Sequence, residues 1–304
     1  MDQYHFENVS LVLVDANRDI RSSVRASLRL EGFGEVRDTH KIARAKEWVE
    51  ESPPDLLVAD AHFFESESCG LFREIRHQFL GADPFVPIIA VAAPSLPPQM
   101  RKVIDTGVDH IVVKPVTISE LLERIQALVE KRKPFVVTCD YIGPDRRKEP
   151  RPGEKAPLID VPNALRAKAI RSPQLQSLRD DIRAATAEIN RRKMERDAYQ
   201  IAWLVSRIAD GDPARRRSHL ARLLEITGDL ERRLDGSSMD HVSELCRSLM
   251  QVAEKMSQVQ GPDGRDMKIL RHSAAAIHAA FPDGGESAGI ARDIARSISR
   301  FAAN

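Results

Sequence analysis

The feature that most constrains this chain is a change of period, repeated five times between residues 9 and 131. Short, uninterrupted apolar runs alternate with longer segments whose apolar residues fall three and four apart. Residues 9–14 are the first run; Ile20, Val24, Leu28 and Leu30 follow at near-helical spacing until Gly32. A short strand is expected at 35–37, then a helix over 41–51 that Pro53 and Pro54 terminate. Residues 55–60, 85–92 and 109–113 read as further strands. Residues 71–79, 98–106 and 118–131 read as helices. A strand that is apolar throughout must be covered on both faces, and alternation with helices supplies that cover. The pattern therefore specifies a five-stranded, doubly wound parallel sheet of the α/β class.

In an open parallel sheet, ligands bind beyond the carboxyl ends of the strands. Three of the expected strands end in a polar residue: LVLVD at Asp15, DLLVAD at Asp60 and DHIVVK at Lys114. Taken singly, each has an ordinary alternative. Asp15 can cap the next helix, Asp60 can be a loop residue, and Lys114 can simply pair with either. Together, at three strand ends, they converge on one rim.

The segments LVLVDAN, DLLVAD, PIIAVAA and GVDHIVVKPV, in this order and spacing, resemble the receiver (CheY-like) domain of bacterial two-component response regulators. The resemblance covers about residues 8–131 and implies a flavodoxin/CheY-like fold. It implies phosphoryl transfer from a kinase phosphohistidine to Asp60. Asp15 would help Asp60 hold Mg²⁺, and Lys114, before Pro115, would contact the phosphoryl group. The chain departs from the family at three places. Ala16 stands where the second metal-binding acid would be, Ala92 where a Ser or Thr hydroxyl would be, and Ile111 where many receivers carry a switch aromatic. The phospho-switch is therefore expected to be incomplete. Glu65 or Glu67, on an altered loop after Asp60, is a candidate source of a replacement oxygen.

Composition changes after residue 131. Residues 131–155 hold eight basic and four acidic side chains with several Pro and Gly, so 132–161 is expected to be a basic linker or docked arm. Within it, Arg146, Arg147 and Arg151 could fork onto a phosphate or carboxylate, with an RxxxR spacing seen in some cyclic-dinucleotide binders. The plainer expectation is an arm docked by Tyr141 and Ile142. Residues 162–304 read as an all-α bundle serving as the output region. An apolar stripe from Leu175 to Ile189 is expected as core or as the seam of a homodimer, interrupted at Arg192 and Arg196. Further helices are expected from an Asp212 cap, from a Ser237–Asp240 capping box, over 267–281 and over 287–301. His219, His241, His272 and His278 read as ordinary helix surface.

Several function classes are not expected. Lys and Arg total 46 against 45 Asp and Glu, so no global charge calls for nucleic acid or an anionic membrane. No helix-turn-helix signal follows the receiver-like segment, which argues against DNA. No window approaches the about 20 apolar residues of a membrane span. The three cysteines are far apart, with no CxxC, and a cytoplasmic protein is expected. The helical half shows no nucleophile–base pair, so an independent enzyme is not expected. The leading expectation is an atypical response regulator with a non-DNA, protein-interaction output, partnered by a histidine kinase or phosphotransfer protein. The alternatives are a phosphorylation-independent pseudo-receiver scaffold and, third, a cyclic-dinucleotide sensor using Arg146, Arg147 and Arg151.

Overall fold

The computed structural model describes residues 4–61, 68–94, 97–147, 158–210, 213–237, 239–258 and 263–281. The chain forms two compact units, Met1–Glu188 and Ile189–Asn304.

The first unit is built on the parallel sheet that the periodicity specifies. Its strands are β1 (Ser10–Val14), β2 (Glu35–Thr39), β3 (Leu56–Asp60), β4 (Ile88–Ala92) and β5 (His110–Val113), in the order β2-β1-β3-β4-β5. The helices are α1 (Arg18–Leu30), α2 (Ile42–Glu51), α3 (Ser68–Arg76), α4 (Pro97–Ile104) and α5 (Ile118–Lys131). Side chains alternate faces along a strand, and the strands divide accordingly. Leu11 and Leu13 pack with Leu28 of α1 and Ile125 of α5, while Val12 and Val14 pack with Val49 of α2 and Phe72 of α3. Two cores, one on each face, explain why β3 and β4 are buried along their whole length and read as unbroken apolar runs.

Several boundaries shift from the sequence reading, two of them by three residues with a local cause. The fourth strand starts at Ile88 rather than residue 85, because Pro84 and Pro87 have no N–H for a ladder; the Pro87 carbonyl instead accepts from Leu57 N. Helix α3 stops at Arg76, and Gln78 takes a positive φ of 63°.

The first unit runs on past residue 131. Residues expected as linker or docked arm form an antiparallel hairpin, β6 (Phe135–Val137) with β7 (Ile142–Pro144), and Ile159 bridges back to Phe135. Helix α6 (Ala164–Ala169) follows, and its Leu165 and Ala169 join the core beneath α1 and α5. The docking is fixed by charge. Asp109, just before β5, takes Arg76 at 2.8 Å and Arg132 at 2.9 Å, with all three side chains buried. Both guanidiniums lie 5.2 Å from the Phe135 ring centre, one on behalf of α3 and one of the arm. Burial pushes the Arg76 guanidinium down to about 10 against the pull of Asp109. Burial also opposes ionisation of Asp109, but Arg132 and Arg76 outweigh it and hold its carboxyl below the usual range. Arg76 further donates to the Gly107, Pro84 and Val86 carbonyls, so no buried donor of this pair lacks an acceptor. Gly107, at φ +83°, lies against the Ile142 carbonyl, where a Cβ would collide.

In the second unit the helices are α7 (Leu178–Asp210, shared with the first unit), α8 (Pro213–Leu234), α9 (Asp240–Gln258) and α10 (Gly264–Ala279). Apolar stripes such as Leu220, Leu223, Leu230 on α8 and Val242, Leu249, Ala253 on α9 form its core. The expected stripe needs correction at its start. Leu175 lies in a 3₁₀ turn, Pro173–Leu175, that Ser172 caps, and it is exposed; the helix begins at Leu178. At Arg192 and Arg196 the helix continues unbroken. Ser237 accepts from Met239 N ahead of α9, whereas Asp212 and the helix expected over 287–301 lie outside the described residues. Among the described residues no helix is long and apolar enough to cross a membrane.

Where the apolar stripe lapses, α7 carries buried charge. Lys193 Nζ lies 2.5 Å from Asp197 and 2.8 Å from Asp229 of α8, and Arg233 binds Asp229 at 3.2 Å. Burial pushes the Asp197 carboxyl up to about 7, with Lys193 opposing. Asp229 also suffers burial, but Lys193 and Arg233 outweigh it and its carboxyl is held well down.

Three outcomes are expected. Truncation after Lys131 removes Phe135 and Leu165 and exposes the apolar surface they cover. It should cost the first unit about 3 kcal/mol or more in urea unfolding, since one buried large apolar side chain is worth about 1.5–3 kcal/mol. Lys193→Met should cost about 3–5 kcal/mol by stranding Asp197 in the core. Asp197 binds its proton more tightly folded than unfolded, so its stabilising contribution is lost as pH rises from about 4 through about 7. Urea midpoints across that range should fall less steeply in Asp197→Asn than in the parent chain.

Candidate functional site

The rim of the parallel sheet brings the three strand-end residues together. Register aligns the ends: Val14 pairs with Ala59, Asp60 with Val91, and Ala92 with Val113. Asp15 and Asp60 therefore lie on adjacent strands, 3 % and 4 % exposed. Lys114 reaches back between them, its Nζ 2.5 Å from Asp60 Oδ2 and 3.5 Å from Asp15 Oδ2. Its backbone N–H donates to the Ala92 carbonyl, and the Lys114–Pro115 bond is cis. Burial disfavours the ammonium, yet Asp60 and then Asp15 outweigh it and raise the Lys114 pKa above its ordinary value. The lysine is thus a held cation, positioned to follow negative charge that appears at Asp60.

The loop after β1 is fastened by groups that sequence reasoning did not single out. Asp15 Oδ1 accepts from Asn17 N at 2.7 Å, and the Asn17 side chain caps α1 by accepting from Asp19 N and Ile20 N. Arg21 donates to the Asp15 carbonyl at 2.7 Å and the Ala16 carbonyl at 3.1 Å, and pairs with Asp38 of β2 at 3.1 Å. The signal for Arg21 was its place one turn into α1, below the strand end; Asp38 gave none, because a lone acid in a short strand reads as surface.

The departures from the receiver pattern have physical consequences. Ala16 is exposed and adds no oxygen to the rim. Ala92 is buried and packs its methyl into the core shared with α2 and α3. Ile111 is partly buried against that same core. Glu65 and Glu67 lie outside the described residues, as does Arg151. Arg146 donates to the Val108 carbonyl and Arg147 forks onto Asp145 at 2.9 Å, so both side chains bind within the receiver and its arm. Ile142 is buried and Tyr141 donates its hydroxyl to the Pro144 carbonyl. In the helical unit His241 and His272 are exposed, His219 packs edge-on to Trp203, and His278 lies against Tyr199.

Chemically, the rim offers two buried carboxylates and one ammonium. Among the described residues no group of three or more His, Cys, Asp or Glu side chains is placed to hold a metal ion. Two carboxylates still fit Mg²⁺, which keeps most of its water and takes one or two carboxylates plus phosphate oxygens.

The parallel sheet thus carries an acid, an acid and a lysine at the ends of β1, β3 and β5. Residues 11–126 match the response regulator receiver domain family, and this part of the chain is a receiver domain of two-component signalling. Curated relatives include the response regulator MprA of Mycobacterium tuberculosis, 29% identical over 127 residues, or 42% of this chain and 53% of that one. The counterpart from Mycobacterium avium is 30% identical over 124 residues, 41% and 52% of the two chains. The match thus spans about half the length of the curated relatives. Solved structures include a response regulator from Thermotoga maritima, 25% identical, covering 39% of this chain and 95% of that one at a TM-score of 0.34. Another is the receiver domain of a sensor histidine kinase from Pseudomonas aeruginosa, solved with a magnesium ion coordinated in its active-site cleft. It is 26% identical, with coverage of 39% and 94% and a TM-score of 0.35.

Restoring the third carboxylate tests the donor set. Ala16→Asp should tighten Mg²⁺ binding by about tenfold, ~1.4 kcal/mol, in calorimetric titration of the full chain. An unchanged affinity would mean that Asp15 and Asp60 do not hold the ion.

Proposed function

We propose that the chain is an atypical response regulator that accepts a phosphoryl group at Asp60 and signals through its helical unit. The observation that carries this reading is Lys114 Nζ at 2.5 Å from Asp60 and 3.5 Å from Asp15, at the ends of three strands. In this reading the donor is the phosphohistidine of a histidine kinase or phosphotransfer protein. An Asp60 oxygen attacks the phosphorus in line, the P–N bond breaks, and the imidazole leaves with its electron pair. Asp15 and Asp60 would hold Mg²⁺, which would supply charge neutralisation for the transferring group. Lys114, 2.5 Å from Asp60 at rest, then exchanges that carboxylate for a phosphoryl oxygen.

The output is proposed as protein contact, with neither DNA binding nor catalysis of its own. The supporting observation is that the matched family segment ends at residue 126 and the second unit is built of α7–α10. Its partners would be a downstream protein or a second copy meeting at the Leu178 end of α7. A phosphorylation-independent pseudo-receiver is the second reading, favoured by Ala16 and by the Ala92 methyl buried in the core.

Intact-mass measurement separates the two. Full-length chain with Mg²⁺ and acetyl phosphate should gain one phosphoryl group, and Asp60→Asn should gain none. Absence of an Asp60-dependent adduct, with acetyl phosphate and with histidine kinases alike, contradicts the phosphoacceptor reading and leaves the scaffold.

A further inference from the structure

We propose that the docked arm is the element that reads the rim: occupancy at Asp60 and the hold of the β6–β7 hairpin are coupled through β5. The proposal rests on Asp60 as phosphoacceptor for its natural trigger, but the coupling itself is a property of one strand.

That strand has four residues, His110–Val113. Lys114 follows it directly and binds Asp60 and Asp15. Asp109 precedes it directly and binds Arg76 and Arg132. A part-buried ionic contact at one end and a buried one at the other are therefore tied by one extended segment about 16 Å long, at about 3.3 Å per residue. β5 is also an edge strand: among the described strands it is paired with β4 alone, so one side of it carries no described ladder to resist a shift.

Among the described residues, the arm grips the segment just before β5. Arg132 forks onto Asp109, Arg146 donates to the Val108 carbonyl, and Ile142 abuts Gly107. Three successive residues before β5 thus carry three arm contacts. At the other end, Lys114 must move when a phosphoryl group forms, because its ammonium then has a new and more negative partner. Ion pairs in a buried site depend steeply on distance, so a small displacement of β5 alters the Asp109–Arg132 contact. Ala92 and Ile111 leave no hydroxyl and no ring to relay the same event by another side-chain path. The chain leaving the arm continues through α6 into α7, which gives the arm a covalent route onward.

Amide hydrogen exchange on the full chain tests this. The reporters are the Phe135, Asp145 and Ile159 amides, whose bonds close the arm. On phosphorylation with acetyl phosphate and Mg²⁺, their exchange should change by about fivefold or more, the low end of ordinary inter-site coupling. The Val36 amide in β2, at the far edge of the sheet, should keep its rate. An Asp60 adduct confirmed by mass with unchanged arm exchange overturns the proposal. If no adduct forms, the phosphoacceptor reading fails, and Lys114→Met then decides the coupling. That variant frees the rim end of β5 directly. Altered arm exchange in Lys114→Met supports the coupling, and parent-like rates overturn it; Lys114→Gln repeats the test if the first variant is poorly folded.

Discussion

An ammonium between two buried carboxylates is the contact on which the rim depends. Asp15 and Asp60 are carried there by the backbone: parallel strands deliver their carboxyl ends side by side. Two such carboxylates side by side repel each other. Lys114 answers that repulsion from the next strand but one, 2.5 Å from Asp60. Its charge is bound but a quarter exposed, at 26 % of its side chain, so it can exchange one anionic partner for another without leaving the site. The missing oxygens at positions 16 and 92 remove metal charge and a hydroxyl without touching this contact.

The opposite end of the sheet is built on different terms. There Asp109, Arg76 and Arg132 are buried in mutual ion pairs, and both guanidiniums lie against the Phe135 ring. Removing any one partner leaves a stranded charge, so the arrangement favours a single docked position for the arm. The receiver unit accordingly needs residues beyond its own sheet and helices: Leu165 and Ala169 of α6 complete one core, and Lys168 pairs with Asp55 at the start of β3, at 2.7 Å.

The sheet and the rim were legible because their signal is local. LVLVD, DLLVAD and DHIVVK each show a buried strand and its polar end within six residues, and the register of a parallel sheet does the rest. The docking of the arm was legible in part. Tyr141 and Ile142 suggested docking, but the residue that fixes it, Arg132, sits in a basic run that reads as solvated linker. Its partners Asp109 and Arg76 are distant in sequence, and each reads as surface on its own. Lys193 was hidden in the same way. Its i, i+4 partner Asp197 and its partner across the bundle, Asp229, turn an apparent lapse in the apolar stripe into a buried ion pair. The start of α7 was misplaced because Leu175 keeps heptad spacing while Ser172 and Pro173 hold it in a 3₁₀ turn.

The central claim is that Asp60, Asp15 and Lys114 still form a working phosphoryl pocket despite Ala16 and Ala92. Fluorine NMR of beryllofluoride added to the full chain with Mg²⁺ measures that pocket without a kinase and without turnover. A bound resonance in the parent chain, absent in Asp60→Asn and weakened in Lys114→Ala, is the result this account requires. No bound resonance in the parent chain at saturating Mg²⁺, or one that survives in Asp60→Asn, contradicts it.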